Sequence, residues 1–113
     1  MSCLFCQIVE GKVPTTKVHE DERLVAFEDT HPQAPVHILI VPRKHVPTAL
    51  ELGTEDREMV GECILLAARL ARERGIAFDG YRVVLNTNAG AGQSIYHLHF
   101  HLLGGRLLQW PPG

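Results

Sequence analysis

Apolar and polar positions alternate in short runs along most of this chain and switch once to a helical period. "KVHED" (17–21) and "RLVAFED" (23–29) have β-branched and apolar residues with period-two character, which predicts two short antiparallel strands. "VHILIVP" (36–42) predicts a third strand, stopped by Pro42, and "YRVVLN" (81–86) a fourth. "LFCQIVEGK" fits a short helix ending at Gly11, while "THPQAP" and "RKHVP" read as turn and loop. In "TEDREMVGECILLAARLARERG" the period becomes helical. Thr54 is the expected N-cap, Glu55 and Asp56 lie in the first turn, and Gly75 is the C′ residue. Val60, Cys63, Ile64, Ala67, Leu70 and Ala71 form the stripe expected to face a sheet.

The last apolar run, "HLHFHLL" (97–103), places histidines at 97, 99 and 101. On a helix, 97 and 101 would share a face and 99 would point away. On a strand all three emerge from one face, about 6–7 Å apart, and Leu98, Phe100 and Leu102 line the other. The apolar partners need a core and glycines follow at 104 and 105, so a fifth strand is predicted. The expected class is α+β: a five-stranded antiparallel sheet with one long helix and a short N-terminal helix, spanning residues 1–113 as one domain.

Composition narrows the chemistry. Apolar content of 45% and charged content of 21% are ordinary for a soluble protein, and no apolar run approaches eighteen residues. Thirteen acidic and eleven basic side chains are interspersed, so no basic stripe suits a nucleic-acid backbone, although a local pocket can still hold a small phosphate ligand. No membrane contact is expected. "MSCLFCQIVEGK" lacks the organisation of a secretory leader, and three cysteines fit reduced thiols or metal ligands better than a disulfide framework; both favour the cytoplasm.

Three imidazoles on one face can hold a metal. They can equally supply a nucleophile with proton-handling neighbours near neutral pH. The glycine-rich "NAGAGQS" upstream favours the second use, because backbone amides without Cβ atoms can approach an anion closely. "CLFC" has C-x-x-C spacing; a thioredoxin-like redox pair would want a βαβ setting that is missing, whereas a zinc site needs two further ligands and histidines are plentiful.

"HLHFHLL" resembles the signature of the histidine triad (HIT) family of nucleotide hydrolases and transferases. "FEDTHPQAPVHILIVPRKH", "GYRVVLNTNAGAGQSIYHLHFHLLGGR" and the terminal "WPPG" are similar to its Hint branch, the nucleotide-binding histidine triad proteins. The resemblance implies a phosphoramidase that cleaves the P–N bond of purine nucleoside 5′-phosphoramidates, such as aminoacyl or lysyl adenylates, through nucleotidylated His99. It places His37 and His101 beside the phosphate, with His97 completing a polar relay with His37. It assigns Ser94 and Gly92 to phosphate and leaving-group contacts, Asn86 and Gln93 to further nucleotide contacts, and Asp29 to the ribose. Leu4, Phe5, Ile8 and Phe27 would surround the purine, though each also reads as ordinary core. It further implies structural zinc held by Cys3, Cys6, His45 and His97, which the chemistry does not require. A homodimer with one continuous sheet is expected, in which Trp110 of the tail influences the partner's leaving-group preference. Two other readings remain: a zinc hydrolase whose triad holds a catalytic ion, and a non-catalytic nucleotide-binding module.

Overall fold

The computed structural model describes residues 3–113. A short helix α1 (Leu4–Val9) leads into strands β1 (Lys17–Glu20), β2 (Leu24–Glu28) and β3 (Val36–Pro42). The long helix α2 (Arg57–Glu73) follows, then β4 (Tyr81–Val84) and β5 (Phe100–Gly104). The five strands form one antiparallel sheet in the order β1-β2-β3-β5-β4. No helix among the described residues is long and apolar enough to cross a membrane.

Alternation along the strands builds two cores, one on each face. Ile38, Ile40, Leu98, Phe100 and Leu102 meet Cys63, Leu66, Ala67, Leu70 and Ala71 of α2. On the other face Val25, Phe27, Leu39 and Val41 pack with Phe5, Ile8 and Val9 of α1. All seven residues of β3 are therefore buried, which is why "VHILIVP" is nearly continuous in apolar residues. Burying a Leu, Ile or Phe side chain contributes about 1.5–3 kcal/mol, so the α2 layer supplies most of the driving force.

The structure corrects two details of α2. Its buried stripe includes Met59 and Leu66, whereas Ile64 is 47% exposed. Thr54 does not cap it: Thr54–Asp56 form a 3₁₀ turn ahead of Arg57, and Asp56 Oδ2 accepts the Gly53 N–H at 2.9 Å. Gly75, at φ +74°, ends the helix in the conformation that glycine tolerates best.

A capping box that the sequence reading did not single out lies just upstream. Thr48 Oγ1 accepts the Leu50 N–H at 3.0 Å, and Glu51 Oε1 accepts the Thr48 N–H at 3.0 Å. Thr48→Ala should cost about 1 kcal/mol in denaturant unfolding, and an unchanged midpoint would contradict this.

Candidate active site

β3 and β5 are neighbours, with Leu39 opposite His101 and His37 opposite Leu103. His37 and His101 therefore share the face that carries α1, diagonally across the strand pair. The ladder begins only at Phe100, so His97 and His99 lie in the segment before β5, outside the strand predicted for them. The alternation survives nonetheless. Leu98 and Phe100 enter the α2 core, while the ring centroids of His99 and His101 lie 5.0 Å apart. The pairing stops because the chain beyond β3 turns away: Leu98 N–H donates to the Val46 carbonyl at 2.7 Å, and the Pro42 carbonyl faces the His97 ring.

Fixed backbone groups set the proton on each ring. Gln33 N–H donates to His37 Nδ1 at 2.9 Å, so neutral His37 holds its proton on Nε2. That nitrogen lies 2.9 Å from His101 Nδ1 and 3.3 Å from Asp29 Oδ2. His101 Nδ1 is then an acceptor, and the His101 proton sits on Nε2. His99 Nδ1–H donates to the His97 carbonyl at 2.7 Å, which leaves the lone pair on Nε2. His97 Nε2–H donates to the Pro42 carbonyl at 2.7 Å, which leaves its lone pair on Nδ1. Phe5 stands edge-on to His99 with ring centroids 5.0 Å apart and fixes the plane of that ring.

Burial pushes the pKa of His37, His97 and His99 below the ordinary imidazole value. His101 falls to about 4, through burial first and then the neighbouring His99 and His37, with Asp29 opposing. An unfolded imidazole titrates near 6.5. Between about pH 6.5 and 4 the unfolded chain binds a proton that folded His101 refuses, so stability is lost as pH falls through that window. The melting temperature of His101→Gln should therefore fall less than that of the parent between pH 7 and 5. Equal slopes would contradict the assignment.

A second cluster adjoins the first. Cys3 Sγ lies 3.3 Å from His97 Nδ1, Cys6 Sγ 3.3 Å from His45 Nδ1, and the two Nδ1 atoms are 3.2 Å apart. All four ligand atoms lie within 4.8 Å of one another. Zinc with Zn–N of about 2.0–2.1 Å and Zn–S of about 2.3 Å needs a tetrahedron of this size, made from these donor types. The residues fit zinc. Burial and the neighbouring Cys3 push the Cys6 thiol up to about 11, so a metal would have to displace its proton.

His37, His101 and Asp29 form one cluster, and His97 joins Cys3, Cys6 and His45 in the other. His97 thus completes no relay with His37, whose partners are Gln33, Asp29 and His101. The triad does not converge on one ion either, so the catalytic-metal arrangement of the three histidines is not formed. Asp29 Oδ1 accepts the His31 N–H at 2.8 Å, which holds its carboxylate beside His37. Asn86, half-buried, lies two residues beyond Val84, the last residue of β4, which pairs with His101.

The glycine-rich loop departs from expectation. The amides of Gly92 and Gln93 donate to the Ala89 and Asn88 carbonyls, so they form no open cradle. Gln93 is buried, and its side-chain amide bonds Pro47 O, Ile95 O and Asn88 N–H, which makes it a staple of the loop. Ser94, next in the chain, is exposed. Gly92, at φ +92°, closes the turn. Phe5, Ile8 and Phe27 keep only 3–5% of their surface and form a floor, while Leu4 is 45% exposed. Trp110 is 82% exposed. The backbone groups of Gln33 and Pro42 escaped the sequence reading, since every residue carries such groups and only the fold aims them.

The HIT domain profile matches residues 10–108. The chain belongs to the HIT family. It is 45% identical over 105 residues to the purine nucleoside phosphoramidase of Escherichia coli strain K12, covering 93% of this chain and 88% of that protein. It is 46% identical over 112 residues to a 14 kDa zinc-binding protein of Zea mays, covering 97% and 87%. Among solved structures, a HIT family hydrolase from Legionella pneumophila Philadelphia 1 has a TM-score of 0.98 and 47% identity, covering 99% of this HIT chain and all of that one. The expected α+β architecture is thus the HIT fold, five antiparallel strands with one long and one short helix.

Proposed function

We propose that this HIT protein is a hydrolase that cleaves the P–N bond of purine nucleoside 5′-phosphoramidates through a nucleotidyl-His99 intermediate. The observation that carries the reading is the His99 ring. Its Nδ1–H is held by the His97 carbonyl at 2.7 Å, so Nε2 offers a lone pair from a neutral imidazole. Nε2 attacks phosphorus, the P–N bond breaks, and the departing nitrogen takes a proton from solvent. Water then attacks the nucleotidyl-histidine, the bond from phosphorus to Nε2 breaks, nucleoside monophosphate leaves, and the proton lost by the water returns to solvent.

The neighbours are arranged for the charge that develops. When Nε2 bonds to phosphorus the imidazole becomes cationic, so the Nδ1–H···O=C bond strengthens between ground state and intermediate. His101 directs Nε2–H at a phosphoryl oxygen, and His37 and Asp29 hold that tautomer from behind. Asp29 also serves as the ribose carboxylate, Ser94 contacts phosphate and leaving group from the turn that Gly92 closes, Asn86 serves on the phosphate side, and Leu4 with the Phe5, Ile8 and Phe27 floor takes the purine. Turnover of a fluorogenic adenosine phosphoramidate tests the reading. Release of amine with AMP is expected, and binding of AMP with no turnover would favour the non-catalytic module.

Cys3, Cys6, His45 and His97 hold zinc in this reading. When bound it supplies a four-ligand cross-link between α1, the loop after β3 and the segment before β5. No step of the chemistry passes through it.

The protein also forms a homodimer in this reading. β4 lies at an edge of the sheet, where unpaired backbone groups are open to a second copy, and Trp110 stays exposed on its own chain. Light scattering should give twice the chain mass. Deleting residues 109–113 should change the relative rates for different amine leaving groups, and unchanged ratios would contradict the role given to the tail.

A further inference from the structure

The His37–His101 pair is held from outside by an exposed loop. Residues 29–35 leave β2 and re-enter β3, and Gln33 within them is exposed, yet its N–H reaches buried His37. Something must hold an exposed amide on a buried ring, because an unpaired loop at the surface samples many conformations.

Two features at the exit of β5 do this. Arg106 Nε donates to the Gln33 carbonyl at 3.0 Å, and Arg106 Nη1 donates to the Leu107 carbonyl at 3.0 Å. The guanidinium thus bridges the loop to the chain that follows β5. Gly105, at φ +92°, lets the loop approach: a Cβ there would stand 2.9 Å from Pro35 Cβ. Within the loop, Gln33 Nε2–H donates to the His31 carbonyl at 2.9 Å, and His31 N–H to Asp29 Oδ1 at 2.8 Å.

We infer that Arg106 is a positioning residue for the reaction: by clamping Gln33 it keeps the Gln33 N–H on His37 Nδ1 and so fixes the proton of His101 on Nε2, facing the phosphoryl group. The inference rests on the proposed function only for the role of that last proton. With Nδ1 accepting from Gln33, neutral His37 can carry its proton only on Nε2. Of the two acceptors facing His37 Nε2–H, His101 Nδ1 at 2.9 Å is nearer than Asp29 Oδ2 at 3.3 Å, and a proton on His101 Nδ1 would stand against the one on His37 Nε2, so His101 Nδ1 accepts. Release of Gln33 frees both rings to exchange tautomers, and a His101 carrying its proton on Nδ1 presents a lone pair to a phosphoryl oxygen where a donor is needed. Arg106 touches none of the reacting atoms.

The test uses the zinc-loaded protein, with imidazole nitrogens observed by ¹⁵N NMR. The parent should show His101 as one tautomer, protonated at Nε2. Arg106→Ala should show a mixture at His37 and His101, a fall in kcat of roughly tenfold or more, and a KM within about twofold of the parent. Arg106→Lys, which can still donate to one carbonyl, should recover part of the single-tautomer signal. Gln33→Pro removes the donor N–H itself and should reproduce the mixture, whereas Gln33→Ala keeps the N–H and should not. An unchanged His101 tautomer in Arg106→Ala overturns the inference, whatever Gln33→Pro does and even if turnover falls, because loss of rate without tautomer exchange means a purely structural role. If the parent turns over no phosphoramidate, the proposed function fails instead, and the NMR comparison still decides whether Arg106 sets the tautomer.

Discussion

His99→Ala should lose turnover of adenosine phosphoramidate by roughly 10⁴-fold or more while still binding AMP. The loss is large because no neighbour can take over as nucleophile. His97 Nε2 is bonded to the Pro42 carbonyl and its Nδ1 belongs to the cysteine cluster. His101 Nδ1 accepts from His37 and its remaining nitrogen is protonated. Of the three triad rings, His99 is the one that joins a locked Nδ1–H to a free Nε2 lone pair. Binding should persist because the alanine deletes a ring but leaves Asp29, His37 and His101 in place. Near-parental turnover by the variant would contradict the role assigned to His99. Weak AMP binding together with lost turnover would place His99 in ground-state recognition.

The second large effect concerns the Cys₂His₂ cluster. Removing zinc with a chelator, or replacing Cys3 and Cys6 by serine, should lower the melting temperature markedly. A ligand held at about a thousand times its dissociation constant stabilises the folded state by about 4 kcal/mol. For a domain of this size that corresponds to roughly 15–20 °C. The effect should concentrate at α1. This six-residue helix is too short to persist alone, and it is fastened by the buried Phe5, Ile8 and Val9 and by the two cysteines that bracket its first turn. Metal content measured with the melt decides the matter: absence of stoichiometric zinc, or a melt indifferent to chelator, contradicts the assignment. Remaining activity should track the folded fraction. His97 nevertheless links the two sites, since its ring points into the Cys₂His₂ cluster while its carbonyl holds His99.

Much of this arrangement is legible in the sequence because periodicity reports burial directly. Leu98, Phe100 and Leu102 alternate with the histidines, and that alone separates a core face from a chemical face. The same signal fails where several positions are apolar. In α2, Ile64 and Leu65 interrupt the stripe, so the buried face could be read one step around the helix from where it lies; Leu65 is 70% exposed. Strand limits were less legible still, since hydrophobic alternation continues through His97 and His99 although their backbone has left the ladder. The glycine-rich loop misled in another way. Its composition suggests open amides, but the turn closes on its own carbonyls and on Gln93. Least legible were the groups that choose each tautomer, namely the Gln33 N–H and the Pro42 and His97 carbonyls. Side-chain identity says nothing about where a backbone amide or carbonyl will point.

The proposed reaction passes through a covalent bond from phosphorus to His99. Wild-type protein mixed with excess adenosine phosphoramidate, quenched in alkali within a turnover and mapped by mass spectrometry, tests it most directly. An adenylyl group should form on His99, at Nε2, and decay at rates compatible with turnover. Full product release with unmodified His99 at every time point, or the adenylyl group on another residue, would contradict it.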